Sequence, residues 1–223
     1  AVHPIHTERV TNMTGAFDLI GILFLFLAFY AYINFVKKPE FVWKVISILC
    51  FILGLFSSEE AIVLIFIIPL YDGVYNTIDK KKLQSYIPYA IITIGYLLIR
   101  FIFLDIGARG SYADTPFLAS SMIVVFAKYV GLLIHPYPLT ALQQIVPLTD
   151  ALQVKVILSA VLLIGLIAVA IKSKPSKKLI AFSIGWFFLT VLPFSNIVPL
   201  QTLLAERYLY VASFGFALLI PYI

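Results

Sequence analysis

The chain has 223 residues, of which 62% are hydrophobic and 12% are charged, and its net charge is +5. Water-soluble domains average about 45–50% apolar and about 25% charged residues. This composition, with a mean hydropathy of +1.03, therefore excludes a soluble globule, a disordered chain and a nucleic-acid-binding protein. It predicts an integral membrane protein built from helices, because the apolar runs are too long for the strands of a barrel.

The spacing of the apolar runs predicts the membrane segments, since a helix crosses a bilayer with roughly 20 apolar residues. In chain order, the candidate spans are 15–36, 41–57, 61–74, 86–104, 152–171, 179–200 and 204–223. We therefore predict an all-α, polytopic transmembrane protein with about seven spans in a single domain, residues 1–223. Because the sequence lacks an initiator Met and stops inside an apolar run, we expect a fragment truncated at both ends.

Three basic loops, at 37–38, 80–82 and 172–178, predict the orientation, because cytoplasmic loops of membrane proteins are rich in Lys and Arg. They lie on one side only if the ambiguous stretch 118–134 does not cross the membrane. We predict that this stretch, with Lys128 in its middle, is an interfacial or re-entrant helix on the outer face. The loops also explain the net positive charge without an anionic macromolecular partner.

The first candidate cluster is His3, His6 and Glu8 before the first span, with Asp18 inside it. If the intervening residues are helical, Glu8 and Asp18 lie about 15 Å apart along the axis. They can border one cavity without forming a tight pair. Two alternatives remain open, since His and Glu side chains also ligate metals and polar residues also cap helices at the membrane interface.

Two further clusters combine acids and bases at predicted outer ends of spans. Glu59 and Glu60 point about 100° apart on a helix, so one can face a cavity while the other faces water. Glu206 and Arg207 lie at the start of the last segment. There Arg207 can bind a phosphate, and Glu206 can hold the arginine in position. The alternatives are a polar turn in the first case and local charge compensation in the second. Arg100, near the end of its span, either snorkels outward or binds a phosphate.

No hydrolase triad, phosphate-cradling glycine loop or zinc signature occurs in the sequence. The residues themselves therefore fit an enzyme that acts on a membrane-embedded donor, and they also fit a transporter. A transporter is expected to show inverted repeats and helices broken at mid-membrane. The sequence shows neither pattern.

Several short motifs follow one another in order across nearly the whole chain. They read HPIHTE at 3–8, GAFDL at 15–19, SSEEAI at 57–62, FAKYVGLLIHP at 126–136, and GWF, LPFSN and AERYLY between 185 and 210. This ordered set resembles the transmembrane O-mannosyltransferases that act on cadherins and their bacterial relatives, which carry tetratricopeptide repeats.

The resemblance implies a GT-C-like fold and a glycosyltransferase that uses a polyprenyl- or dolichyl-phosphate donor. The sugar, mannose in this family, would pass to a protein hydroxyl on the non-cytoplasmic face. The site-lining candidates are His3, His6, Glu8, Asp18, Glu59 and Glu206. The phosphate-binding candidates are Arg207 and Arg100. The partners implied are membrane lipid, the lipid-linked sugar and the protein acceptor, with no nucleic acid.

The sequence departs from the family pattern at places that matter for catalysis. Ser58 stands where the family has a lysine, and Phe17 stands where many members have an arginine. The family's catalytic aspartate is expected upstream of residue 1, so a chain of this extent should be inactive alone. No tightly bound cofactor is expected, and a divalent metal has no support.

The alternative functions are a GT-C enzyme that modifies a glycolipid or polymer and a non-enzymatic transporter or flippase. In either enzymatic case, we expect a multi-pass protein whose active face is periplasmic or extracellular, or in the lumen of the endoplasmic reticulum.

Overall fold

The computed structural model describes residues 3–12, 15–76, 80–103, 117–137, 139, 153–173, 177–197, 200 and 202–220. Every regular element within these ranges is helical, which confirms the predicted all-α membrane protein. Among the described residues, three helices are long and apolar enough to cross a membrane, namely Gly15–Lys37, Lys82–Ile102 and Val154–Lys172. The chain folds as two compact units, one of Val10–Gly107 and the other of Ala1–Arg9 with Ala108–Ile223.

The α-helices of the described ranges are, in chain order, α1 (Thr7–Thr11), α2 (Gly15–Lys37), α3 (Phe41–Ser57), α4 (Leu64–Tyr75), α5 (Lys80–Leu98), α6 (Leu118–Ile134), α7 (Val154–Lys172), α8 (Lys178–Val191) and α9 (Leu209–Leu219). Short 3₁₀ turns precede α1, α4 and α9, and a π-helical turn extends α5. These turns are Pro4–His6, Glu59–Val63, Glu206–Tyr208 and, for the π-helix, Ile99–Phe103.

In the unit 10–107, small residues let the chain pack closely around the end of α3. A Cβ atom built on Gly21 of α2 would lie 2.4 Å from the Cβ of Ser58, so only glycine fits there. Gly54 of α3 faces Ala61 in the same way, with a 3.0 Å approach. Ser58 itself is extended and accepts a hydrogen bond from the backbone N–H of Glu60, which starts the 3₁₀ turn before α4. The acids of this turn are therefore held at a fixed place beside α2.

In the other unit, α6 supplies much of the hydrophobic core. Its buried side chains, Met122, Val125, Tyr129 and Leu132, recur every three or four residues, as expected for an amphipathic helix. Lys128, in the same helix, is exposed. Core side chains from the N-terminal turn, from α8 and from the segment before α9 share this cluster. The cluster thus ties residues from both ends of the sequence together.

Helices α8 and α9 pack closely through a tryptophan and a glycine. The indole Nε1–H of the fully buried Trp186 donates to the carbonyl oxygen of Val211 at 2.8 Å. A Cβ on Gly215 would meet the carbonyl oxygen of Ser183 at 2.7 Å, so no larger residue fits at this contact. The contact positions the start of α9, where the AERYLY motif lies.

The predicted segment boundaries are correct where polar or proline residues flank the apolar run. They are wrong where an α-helix gives way to a 3₁₀ turn within the run. Segments 41–57 and 118–134 have the predicted limits. The run 179–200 is helical only as far as a 3₁₀ turn ending at Phe194, because Pro193 has no N–H to continue the helix. The runs 61–74 and 204–223 both begin with non-α structure, and α9 starts only at Leu209. That 118–134 does not cross the bilayer stays a prediction.

Candidate functional site

The N-terminal HPIHTE segment is anchored by its first histidine and by an isoleucine. The Nε2 of His3 lies 3.1 Å from the carbonyl oxygen of Leu133, at the end of α6. The Nδ1 of His3 accepts from the backbone N–H of Ile5, which caps the 3₁₀ turn. Ile5 is completely buried in the core cluster. His3 therefore supplies the cap of the 3₁₀ turn at this entrance.

His6 contacts the first turns of α9. Its Nε2 lies 2.8 Å from the Oγ of Ser213, and its ring centroid lies 4.7 Å from that of Tyr210. The Ser213 hydroxyl donates its only proton to the carbonyl oxygen of Tyr210 at 2.7 Å. It must then accept from His6, so the ring donates to Ser213 through Nε2. In the described residues, no group of three or more His, Cys, Asp or Glu side chains has a metal-binding arrangement.

Glu8 and Arg207 form an ion pair between residues 199 positions apart in the sequence. The Oε2 of Glu8 accepts a hydrogen bond from the backbone N–H of Arg207 at 2.9 Å, and the Oε1 of Glu8 accepts one from Nη1 of Arg207 at 3.0 Å. The Glu8 side chain is only 10% exposed. The guanidinium also donates to Thr202 and lies 5.1 Å from the Tyr208 ring. Because arginine stays protonated in proteins, the contact is ionic.

Two further ionisable residues are buried in the unit of Ala1–Arg9 with Ala108–Ile223, which also contains Glu8 and Arg207. Glu206 is 3% exposed, and so is Arg9, which the sequence analysis did not single out. Charged groups are costly to bury unless they are compensated, so such residues are candidates for a functional role. His3, His6, Glu8, Glu206 and Arg207 thus all belong to one compact unit. The sequence treated them as two separate clusters.

Asp18, Glu59 and Arg100 belong to the other unit, 10–107. The carboxylate of Asp18 accepts from the Ser58 hydroxyl at 3.1 Å. The Oε1 of Glu59 lies 2.5 Å from Nη2 of Arg100, which sits on the π-helical turn after α5. Glu59 is exposed and Glu60 is buried, so the two adjacent acids diverge as predicted. Whether the acids of the two units border one cavity stays a prediction.

Asp72 on α4 is the centre of a polar cluster that the sequence analysis missed. Its side chain has no solvent exposure, and its Oδ2 accepts from the hydroxyls of Tyr32 at 2.5 Å and Tyr86 at 2.7 Å. Its Oδ1 accepts from the Asn76 amide at 3.1 Å and lies 3.5 Å from the Lys82 ammonium. The sequence signal for this cluster is an acid inside an apolar run.

The LPFSN motif forms a fixed turn in the unit that contains α8. Asn196 adopts a left-handed conformation with φ of 56°, which asparagine tolerates better than most residues. Its Oδ1 accepts from the backbone N–H of Leu200 at 3.0 Å, and its side chain is buried against Met122. The motif is therefore a structural turn that leads the chain toward the AERYLY segment.

Comparison with known proteins supports the resemblance noted from the motifs. The chain is 26% identical to the protein O-mannosyl-transferase TMTC4 of Homo sapiens and 27% identical to that of Mus musculus, each over 100% of its length. It is 27% identical to the protein O-mannosyl-transferase F38B6.6 of Caenorhabditis elegans over 98% of its length. The similarity to protein O-mannosyltransferases is thus confirmed.

The chain spans 37% of the length of the two mammalian proteins and 32% of the nematode protein. No protein-family model matches the sequence. No solved structure matches it either.

Proposed function

We propose that this chain is the membrane glycosyltransferase part of a protein O-mannosyltransferase. In this proposal, residues 1–223 act as one multi-pass, GT-C-type transmembrane domain. Mannose passes from a polyprenyl- or dolichyl-phosphate donor to a protein hydroxyl on the non-cytoplasmic face. The observation that carries the proposal is the similarity, along essentially the whole chain, to proteins named O-mannosyltransferases.

The proposed reaction is a single displacement at the anomeric carbon of the sugar. The acceptor hydroxyl oxygen forms the new bond to that carbon while the bond to the lipid phosphate oxygen breaks. A carboxylate takes the hydroxyl proton, and cationic or N–H donors stabilise the departing phosphate. The configuration of the anomeric carbon inverts because the two oxygens act on opposite faces.

Within this reaction we assign Glu8 a positioning role. Both of its carboxylate oxygens already accept hydrogen bonds from Arg207, and its side chain is nearly buried. The pair holds the HPIHTE and AERYLY segments together, and the acceptor-proton base lies elsewhere in the protein. Arg207, one third exposed, is held in this pair. His3, His6 and Glu206 belong to the same unit as this pair and remain site-lining candidates. Asp18, Glu59 and Arg100 are candidates within the unit 10–107.

The proposal is tested with the intact protein in membranes supplied with radiolabelled polyprenyl-phosphate-mannose. We expect label in protein and a large loss of transfer in Glu8→Gln and in Arg207→Ala. The exposed acid Glu40, which makes no side-chain cap bond to its helix, provides the matched control Glu40→Gln and should leave transfer unchanged. Label found only in lipid would favour the glycolipid-modifying alternative. No transfer from a folded protein with this donor would refute the proposal.

A further inference from the structure

Arg207 and Arg100 both pair with a glutamate, but the two pairs differ in how firmly they are held. Arg207 is bound through its backbone N–H and its guanidinium to a carboxylate that is only 10% exposed. Separating this pair would leave Glu8 nearly buried without its partner, which is costly. Arg207 is therefore committed to holding the fold of its unit.

The pair between Arg100 and Glu59 is of the opposite kind. The Glu59 side chain is 63% exposed, so it can turn into water with little loss of solvation. Exposed ion pairs of this type are weak. Among the described residues, Arg100 also donates a long hydrogen bond of 3.4 Å from Nη1 to the Tyr96 hydroxyl. The guanidinium, 22% exposed, can thus exchange its carboxylate for another anion.

The backbone around Arg100 is also unusual for a membrane helix. The five residues Ile99–Phe103 form a π-helical turn, and such turns occur frequently at functional sites. Arg100 lies two positions before the end of the candidate span Lys82–Ile102. The end of a span is at the depth of the lipid headgroups, where the phosphate of a membrane-anchored donor lies. Planar, bidentate guanidinium groups match phosphate oxygens well.

We propose that Arg100 binds the phosphate of an isoprenoid lipid, and that Glu59 is a displaceable counter-ion that competes with this phosphate for the guanidinium. This inference rests on the proposed function and deepens it, because it separates the roles of the two arginines. Arg100 exchanges anions, whereas Arg207 does not. It also changes the role of Glu59, from a residue that helps to bind the donor to one that opposes its binding.

The test measures the Kd of a short-chain polyprenyl phosphate for the intact protein in a neutral detergent. Because an exposed pair is weak, Glu59→Gln should tighten binding roughly two- to fivefold. Arg100→Gln should weaken binding by about tenfold or more. The double variant should match Arg100→Gln alone, because the carboxylate acts only through the arginine. Glu40→Gln, which removes the same charge from another exposed position, should leave the Kd unchanged.

Several results would overturn the inference. These are weaker or unchanged binding in Glu59→Gln, a Glu59 effect that persists without the arginine, and an equal effect in Glu40→Gln. The same Kd measurements are made with inorganic phosphate. If inorganic phosphate binds as tightly as the polyprenyl phosphate and responds to the variants in the same way, the site binds a free anion and not a lipid phosphate. Transfer assayed in parallel separates the two proposals. The expected binding pattern without sugar transfer refutes only the reaction, and transfer with unaltered Glu59→Gln binding refutes only the counter-ion role.

Discussion

Replacing Asp72 with asparagine should markedly destabilise the unit 10–107. The carboxylate is fully buried and is contacted by two tyrosine hydroxyls and one ammonium from α2 and α5, and by one amide just past the end of its own helix α4. Hydrogen bonds to a charged group contribute about 1.5–3 kcal/mol each, and removing one partner of a buried ion pair costs about 3–5 kcal/mol. Lys82 is 24% exposed and can reach water. We therefore expect a loss of about 2–4 kcal/mol in the free energy of unfolding.

The assay is thermal unfolding of the intact protein in detergent, where this loss corresponds to a decrease in Tm of roughly 4–16 °C. Tyr32→Phe removes one of the hydroxyl donors and should cost about 1–2 kcal/mol. Its matched control is Tyr30→Phe, since Tyr30 is 60% exposed. If Asp72→Asn and Tyr32→Phe leave Tm within about 1 °C of the Tyr30→Phe value, the carboxylate is not a helix clamp and the reasoning fails.

Two other predictions follow from packing and from topology. Gly21→Ala places a Cβ 2.4 Å from a neighbouring side chain and should cost about 1–3 kcal/mol in thermal unfolding. Gly95→Ala meets no atom within 4 Å and should be neutral or gain up to about 1 kcal/mol, so equal effects would contradict the packing argument. In a Cys50→Ala background, Lys38→Cys and Glu59→Cys should react with a membrane-impermeant maleimide from opposite sides. Labelling from one side would refute the proposed crossing by α3.

The sequence predicted helix limits well where chemistry changes abruptly at both ends of an apolar run. Segment 41–57 lies between Glu40 and the polar residues after Phe56, and 118–134 ends just before Pro136. The prediction failed at 179–200, where the residues stay apolar but Pro193 ends the α-helix. Hydropathy alone carries no information about such a change, because a 3₁₀ turn and a helix are made from the same apolar residues.

For the candidate site residues, the pairing in the structure differs from the pairing that the sequence suggests. Arg207 was matched with Glu206, its neighbour in sequence, whereas the structure brings it to Glu8, 199 positions away. This contact forms because the hydrophobic core brings the N-terminal turn beside the segment before α9. Local sequence patterns do not reveal such a long-range approach. Asp72 was missed for a related reason, because two of its partners are tyrosine hydroxyls and leave no trace in a count of charges.

The most direct test of the central claim is the detection of mannose on protein. The intact protein, or its Glu8→Gln variant, is restored to membranes that lack it, and peptides are analysed by mass spectrometry for a hexose on Ser or Thr. The account predicts hexose-bearing peptides with the wild type and their near loss in Glu8→Gln, with Glu40→Gln behaving as wild type. Wild-type protein that is folded, as judged by a monodisperse elution profile, yet adds no hexose to any peptide would contradict it.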